Sequence, residues 1–162
     1  MTSDPSWTHL DPDNNPAMVD ISAKPVTLRT AVAGAELLLP PVVLAQLRDG
    51  DIRSPKGPVF QTAIIAGTMA AKQTSGLIPF CHPLPLDAVR ITIEPPESGI
   101  LRIEAMVKTS HKTGVEMEAL VAVSVAALTV YDMCKAFSPA IEIRRVRLLS
   151  KCGGKSDYTA DE

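Results

Sequence analysis

The sequence predicts an α+β fold in which a layer of helices covers one face of a mainly antiparallel sheet. The chain has 162 residues, the length of a single domain. Residues 88–94 and 100–107 alternate apolar and polar side chains on either side of a Pro-Pro-Glu-Ser-Gly turn, a pattern typical of an antiparallel hairpin. Residues 59–73 and 114–137 are rich in apolar, helix-compatible residues and predict the helices of the covering layer.

The remaining segments complete the order of elements. β-Branched and apolar residues predict a first strand over 26–39, and the double proline that follows suits the start of a short helix over 42–48. Residues 53–58 are predicted to form a loop, and residues 108–113 a polar connection into the long helix. Alternation over 141–149 predicts a last strand. The order strand, helices, strand, strand, helix, strand is typical of ferredoxin-like folds.

Composition argues against several classes of protein. The net charge of −2 argues against general binding to nucleic acid or to a membrane surface. The longest apolar run, 119–130, falls short of the about 20 residues that span a bilayer and predicts a buried helix. The three cysteines form no Cys-x-x-Cys pair, so they indicate neither a disulfide framework nor a zinc ribbon, and we expect a reducing cytoplasm.

The termini of the predicted domain follow from composition too. Residues 1–16 are rich in Asp, Asn and Pro and lack the pattern of a secretory signal. We expect them to form a disordered tail ahead of one domain over 17–158. The long helix of that domain is apolar on nearly all sides, which indicates burial against a second subunit. The second face of the sheet is expected to be polar, through Arg90, Thr92, Arg102 and Glu104.

His82 lies in a loop that three prolines in seven residues, Pro79, Pro83 and Pro85, keep out of helix and central strand. Such a loop holds an imidazole at a fixed angle, which suits proton transfer or a phosphate contact. A stiff loop with an incidental histidine is the alternative interpretation of this segment alone.

Two glutamates stand at the start of the long helix. Thr113 and Glu116 have the spacing of a capping box, in which the glutamate bonds back to the first turn. Glu118 lies between apolar residues, where an ionised carboxylate needs a cationic partner or a ligand. Ligand binding or catalysis is therefore the predicted role of Glu118.

At the other end of this helix, Asp132 and Lys135 share one face at a spacing of i, i+3. They follow a dozen nearly uncharged residues, so we expect partial burial and an acid/base couple in which each group shifts the pKa of the other. Glu118 and Asp132 are about 21 Å apart along a straight helix, too far for one small ligand. Either the chain has two sites, or opposite ends of helices from two subunits meet across a two-fold axis.

Two lysine-containing segments suit anions. Lys56 precedes Gly57 and Pro58 at the start of a helix, so its ammonium group and the free amides of the helix are expected to converge on an anion. In Lys151-Cys-Gly-Gly-Lys155-Ser156, the glycines would let backbone amides approach an oxyanion. A solvated loop lysine and a flexible C-terminus are the alternatives.

Six motifs follow one another along the chain: Met18-Val-Asp-Ile-Ser-Ala-Lys24, Lys56-Gly57, Cys81-His-Pro-Leu-Pro-Leu86, Thr113-Gly-Val-Glu-Met-Glu-Ala-Leu120, Tyr131-Asp-Met-Cys-Lys135 and Lys151-x-Gly-Gly-Lys-Ser156. Together they resemble the motifs of one family, cyclic pyranopterin monophosphate synthase of molybdenum cofactor biosynthesis. The likeness runs from residue 18 to residue 156.

The resemblance implies a lyase that rearranges 3′,8-cyclo-7,8-dihydroguanosine 5′-triphosphate into cyclic pyranopterin monophosphate and releases pyrophosphate. It also implies a ferredoxin-like fold and a homohexamer, a trimer of dimers, with each site at a dimer interface. The expected partner is this nucleotide-derived small molecule, and no metal or other cofactor is expected.

Matched motif by motif, the resemblance makes Asp132 the catalytic acid/base, with Lys135 and Lys56 as further catalytic residues. It places seven residues in contact with substrate: Phe80, Cys81, His82, Glu116, Met117, Glu118 and Lys151. The charges of these groups suggest how they would bind the substrate. The triphosphate would be neutralised by Lys56, Lys135, Lys151 and His82. The guanidine-like edge of the base would be held by Glu116 and Glu118. Two departures from the family pattern stand out: Phe80 replaces a leucine, and Cys152 replaces a serine.

Three other interpretations are possible from the sequence. The chain could be a non-catalytic nucleotide- or phosphate-binding module, which would release no pyrophosphate. It could be a metal-dependent phosphohydrolase with His82, Glu118 and Asp132 as ligands, although these residues lack the close spacing of a metal site. A purely structural hexamer would leave the carboxylates on the apolar helix unexplained.

Overall fold

The computed structural model describes residues 15–161, so the predicted tail over 1–16 lies almost entirely outside the described residues. Five strands form one antiparallel sheet in the order β5-β6-β1-β7-β8. They are β1 (Thr27–Leu38), β5 (Ala88–Ile93), β6 (Ile100–His111), β7 (Glu142–Cys152) and β8 (Tyr158–Thr159). A second, small sheet consists of β2 (Leu47–Arg48), β3 (Asp51–Ser54) and β4 (Gly57–Pro58).

Two helices, α2 (Val59–Lys72) and α4 (Glu116–Cys134), pack together and cover one face of the large sheet. Two single-turn helices, α1 (Pro41–Leu44) and α3 (Thr74–Leu77), complete the fold. The core lies between the helices and the strand residues that alternate inward, such as Ala31, Ala33 and Leu37 on β1. The predicted α+β, ferredoxin-like arrangement is therefore confirmed.

Helix α4 is apolar because it is enclosed. An 18-residue window of this 19-residue helix has a mean hydropathy of 1.6, so by length and composition alone the helix could cross a membrane. In the fold, half of that window is buried, against the sheet and α2, so the predicted buried helix is confirmed. The close approach of α2 and α4 depends on Gly67, since an added Cβ would lie 2.7 Å from the Ala122 carbonyl oxygen.

The open face of the sheet is polar, as predicted, and Arg90, Thr92, Arg102 and Glu104 are all exposed on it. Glu36 lies between Arg102 and Arg145 on this face, with 3.7 Å separating its Oε1 from a guanidinium nitrogen of each.

Three local predictions were wrong. The short helix over 42–48 ends at Leu44, because Asp49 and Gly50 both have positive φ and join β2 to β3 in a two-residue hairpin. The predicted loop over 53–58 includes the paired strands β3 and β4. The polar connection over 108–113 is mostly strand, because β6 pairs with β1 as far as His111, opposite Thr27.

Candidate active site

At one end of the sheet, the face that is apolar elsewhere becomes polar. Arg29 on β1 follows the alternation of the buried Ala31, Ala33 and Ala35, and Lys151 on β7 lies opposite Ala31. The start of α4 and the loop after β7 border the same region, so charged groups from four parts of the chain surround one opening.

A cavity of about 540 Å³, here called the basic cavity, occupies this end of the fold. Five cationic side chains line it, and Glu116 is the one carboxylate among its lining residues in the described chain. The cations are Lys24, Arg29, Lys112, Lys151 and Lys155. Polyanions suit such a lining, since cations fixed around one space act together on a multiply charged ligand.

A neighbouring cavity of about 570 Å³, here called the carboxylate cavity, contains Glu116 and Glu118 together with the proline-rich loop. The structure brings six of the seven predicted substrate contacts into its lining: Phe80, Cys81, His82, Glu116, Met117 and Glu118. Five residues line both cavities, so the two spaces adjoin: Lys24, Thr113, Gly114, Glu116 and Lys155.

Glu116 separates the two cavities and forms no capping box. Its Oε1 accepts from Lys151 Nζ at 3.0 Å, while the N-cap residue of α4 is Val115, with no side-chain bond to the helix. Gly114 makes room for this carboxylate, because an added Cβ would overlap Glu116 Oε2. The predicted capping role of Glu116 was therefore wrong, and the ion pair across the fold replaces it.

Glu118 is only 4% exposed and no described residue forms an ion pair with it. Burial raises its pKa above the ordinary value, a hydrogen bond with its own backbone opposes this, and the neighbouring Glu116 carboxylate raises the pKa further. The predicted cationic partner is not found within the described chain. Glu118 thus offers a ligand a carboxyl group that protonates more readily than an exposed one.

The proline-rich loop holds His82 in a defined tautomer. Its Nε2 lies 2.8 Å from the Val19 carbonyl oxygen, which can only accept, so Nε2 carries the hydrogen and Nδ1 remains for other contacts. The loop is fixed to β6 by a bond of 2.6 Å from the Thr109 hydroxyl to the Pro85 carbonyl. Beside His82, burial and then the Glu118 charge raise the pKa of the Cys81 thiol.

The predicted catalytic residues form a second cluster, the Asp132 cluster, made of Lys56, Asp132 and Lys135. Asp132 Oδ2 lies 2.5 Å from Lys56 Nζ and its Oδ1 lies 2.7 Å from Lys135 Nζ. Hydrogen bonds from Lys135 and then from Lys56 lower the pKa of Asp132 to about 2, and Asp132 raises the pKa of Lys135. The three side chains are half exposed, at 51–53%, so the predicted burial was wrong for a single chain.

The N-terminus of α2 is not free to bind an anion beside Lys56. The buried Asp51 carboxylate already accepts from the amide of Phe60 at 2.8 Å and from that of Gln61 at 3.4 Å. The predicted convergence of Lys56 and these amides on an anion was therefore wrong. Lys56 instead donates to the side chain and the carbonyl oxygen of Asp132.

The two sites lie at opposite ends of α4. Glu116 and Glu118 are in its first turn and Asp132 is in its last, about 21 Å from Glu118 along the axis. Of the predicted site residues, the structure groups seven around the two cavities and three in the Asp132 cluster. Within residues 15–161 no group of three His, Cys, Asp or Glu side chains could hold a metal ion.

Comparison of the sequence with known proteins identifies a family. Residues 18–154 match the model of the MoaC family. The chain belongs to the MoaC family. A protein of Xanthomonas oryzae named cyclic pyranopterin monophosphate synthase is 54% identical over 153 residues, which cover 94% of this chain and 93% of the relative. The family predicted from the six motifs is thus confirmed.

Proteins of other organisms are similar to the chain as well. A Nostoc protein with the same printed name is 53% identical over 153 residues, covering 93% of this chain and 90% of the relative. A Mycobacterium bovis protein named cyclic pyranopterin monophosphate synthase 1 is 52% identical over 149 residues, which cover 92% of this chain and 86% of the relative.

Sequence analysis did not assign a role to four cations of the basic cavity: Lys24, Arg29, Lys112 and Lys155. Lys24 and Lys155 stand within motifs that carry the resemblance, but Arg29 and Lys112 do not. Arg29 nevertheless had a signal in the sequence, because it continues the inward alternation of β1 where an apolar residue is expected.

Proposed function

We propose that the chain is a cyclic pyranopterin monophosphate synthase. It converts 3′,8-cyclo-7,8-dihydroguanosine 5′-triphosphate into cyclic pyranopterin monophosphate and releases pyrophosphate, in molybdenum cofactor biosynthesis. The observation that carries this proposal is the junction of a five-cation cavity with a two-carboxylate cavity at Glu116. A nucleotide-like molecule has the matching parts, a polyanionic tail and a base rich in hydrogen-bond donors. Membership of the MoaC family supports the same conclusion.

The triphosphate binds in the basic cavity. It carries about four negative charges, and the five cations there compensate them in a setting that favours charge-assisted bonds. Arg29 supports this placement, since its Nε is buried and makes no hydrogen bond within the described chain. Of the groups that sequence analysis gave to the phosphates, Lys151 lies in this cavity and His82 beside it, whereas Lys56 and Lys135 lie in the Asp132 cluster.

The guanine-derived base binds in the carboxylate cavity. Glu116 and Glu118 accept from its guanidine-like edge, and Phe80 and Met117 pack against its ring. His82 donates through Nε2 to Val19, so it acts on the substrate through Nδ1. Glu118 sits where burial favours the neutral carboxyl, and a cationic or donor-rich base would draw it back to the ionised form.

Asp132 moves protons during ring opening and reclosure, with Lys135 and Lys56 as its partners. A carboxyl group with a pKa of about 2 is a weak base at neutral pH. When phosphate oxygens attract Lys56 and Lys135, the bonds that lower this pKa weaken, so Asp132 becomes a better proton acceptor once substrate is present. Substrate binding and base strength are coupled in this way.

The family resemblance implies the assembly, and the length of α4 supports a site shared between two protomers. A homohexamer built as a trimer of dimers brings the Asp132 cluster of one protomer to the carboxylate cavity of another, and each site lies at a dimer interface. The half-exposed Asp132 cluster and the partly apolar outer side of α4, where Leu128 is 57% exposed, support a covering partner. We place this enzyme in the cytoplasm.

The test is turnover of 3′,8-cyclo-7,8-dihydroguanosine 5′-triphosphate by the full-length protein. Pyrophosphate release and product formation are measured. Asp132→Asn is expected to lower kcat by about 100- to 10,000-fold, the usual contribution of a general acid/base. Glu97→Gln, an equal neutralisation of an 84% exposed side chain near the open sheet face, should leave kcat unchanged. Near-normal turnover by Asp132→Asn would remove Asp132 from this role.

The same experiment separates the alternative functions. A non-catalytic binding module would bind the triphosphate and release no pyrophosphate. A metal-dependent phosphohydrolase would lose its activity in a strong chelator. His82 and Glu118 share one cavity while Asp132 lies at the far end of α4, so a single chain does not bring these three ligands together.

A further inference from the structure

Residues 18–24, here called the strap, cross the carboxylate cavity before β1 begins. Val19, Ile21 and Lys24 line this cavity, and Lys24 lines the basic cavity as well. The strap is otherwise largely exposed, with Asp20 and residues 22–24 all accessible to solvent. Its conformation therefore depends on a small number of polar contacts.

Two of these contacts come from side chains of the site itself. His82 Nε2 donates to the Val19 carbonyl at 2.8 Å, and Lys112 Nζ donates to the Ser22 carbonyl at 2.6 Å. The strap thus fixes the tautomer of His82 and the position of a cation of the basic cavity. A strap that moved would release both groups and displace Lys24.

A local turn shapes the strap between these two contacts. Asp20 Oδ1 accepts from the Ser22 amide at 2.8 Å, and the Lys24 amide donates to the Ile21 carbonyl at 3.1 Å. The bond between Asp20 Oδ1 and the Ser22 amide closes an Asx turn, a turn that Asp and Asn side chains both form. Bonds from the Ser22 hydroxyl and then from its amide lower the pKa of Asp20, and Lys112 adds a smaller attraction.

We propose that Asp20 is a positioning residue of this enzyme, which acts through the strap. It is not a lining residue of either cavity, so we assign it an indirect effect on substrate. By closing the turn it presents the Val19 and Ser22 carbonyls to His82 and Lys112 and directs Lys24 into the site before substrate arrives. Preorganisation of this kind lowers the ordering cost of binding. The inference rests on the proposed function.

The experiment compares Asp20→Ala with Asp20→Asn in the full-length protein. Asp20→Ala removes the carboxylate that accepts the Ser22 amide hydrogen bond. We expect KM for 3′,8-cyclo-7,8-dihydroguanosine 5′-triphosphate to rise roughly tenfold while kcat stays within about twofold of the wild-type value. Asp20→Asn keeps Oδ1 as the acceptor of the turn and should restore KM. Hydrogen exchange of the peptide over 18–24 should be faster in Asp20→Ala and near normal in Asp20→Asn, a change that a general loss of stability would not confine to this peptide.

Two results would overturn the proposal. An unchanged KM in Asp20→Ala would show that the strap does not position the site, and an equal loss in both variants would show that the charge of Asp20 matters rather than the turn. Glu97→Ala serves as the control for loss of an exposed carboxylate. A wild-type protein that released no pyrophosphate would instead refute the proposed function, and the exchange measurement would still decide whether Asp20 orders the strap.

Discussion

Mixing two inactive variants tests whether each site takes residues from two protomers. Asp132→Asn is expected to disable the Asp132 cluster, and Glu118→Gln is expected to disable the carboxylate cavity. In one chain these residues lie about 21 Å apart along α4, so a substrate of ordinary size reaches both only when opposite helix ends meet across a two-fold axis. Each variant alone then has one defective half in every site.

The expected activity of the mixture follows from counting sites. With random pairing in an equal mixture, half of the dimers contain one chain of each kind. A mixed dimer has one site in which both halves are wild type and one in which both are changed. A quarter of all sites are then intact, so the mixture should reach about 25% of wild-type activity. Pyrophosphate release after joint unfolding and refolding measures this fraction.

The matched control pairs Asp132→Asn with Lys135→Ala. Both changes fall in the same cluster, so every site of a mixed dimer has a defective cluster and activity should remain at the level of the parents. Differently tagged chains establish that mixed dimers have formed. If mixed dimers of Asp132→Asn and Glu118→Gln are present and no more active than their parents, the two-protomer site is wrong.

Two predictions concern stability and are checked by thermal unfolding. Burial raises the pKa of Glu118, so the contribution of this group to stability is present at low pH and is lost as pH rises through the folded-state pKa. Glu118→Gln should therefore raise Tm at neutral pH, by roughly 2–4 °C for each kcal/mol gained in the free energy of unfolding. A lower Tm in this variant would contradict the burial argument. Gly67→Ala places a Cβ 2.6 Å from Ile91 Cδ1 and 2.7 Å from the Ala122 carbonyl oxygen, an overpacking of about 1–3 kcal/mol that should lower Tm. In Gly76→Ala the added Cβ meets no atom within 4 Å, so that control should not lose stability.

The fold was predictable where local pattern and tertiary environment agree. Alternation of apolar and polar residues identified β5, β6 and β7, because each of these strands has one face on the core. The β-branched and apolar residues of β1 identified that strand. The sequence Asp49-Gly50 is itself a strong hairpin signal, and the helix prediction over 42–48 overlooked it. The end of β6 was missed for a different reason, since only its pairing with β1 extends it to His111.

The site was predictable where its residues lie in short motifs. The proline-rich loop and the start of α4 supplied six lining residues of the carboxylate cavity from sequence alone. The role of Glu116 was not predictable in this way, because its partner Lys151 lies on β7, distant in sequence. Arg29 and Lys112 join the basic cavity because the start of β1, the end of β6 and the loop after β7 meet there.

Within one chain, the two ends of α4 are electrostatically independent. Glu116 and Glu118 at its N-terminus agree with the helix dipole. Asp132 in the last turn opposes the dipole, and its ion pairs with Lys56 and Lys135 compensate this charge. About 21 Å separates Glu118 from Asp132, well beyond the screening length of about 8 Å at physiological ionic strength. The raised pKa of Glu118 and the lowered pKa of Asp132 are therefore set separately within each chain. If the proposed dimer brings these groups around one substrate, their titrations become coupled, and the pH profile of turnover should then belong to the pair rather than to either carboxyl group.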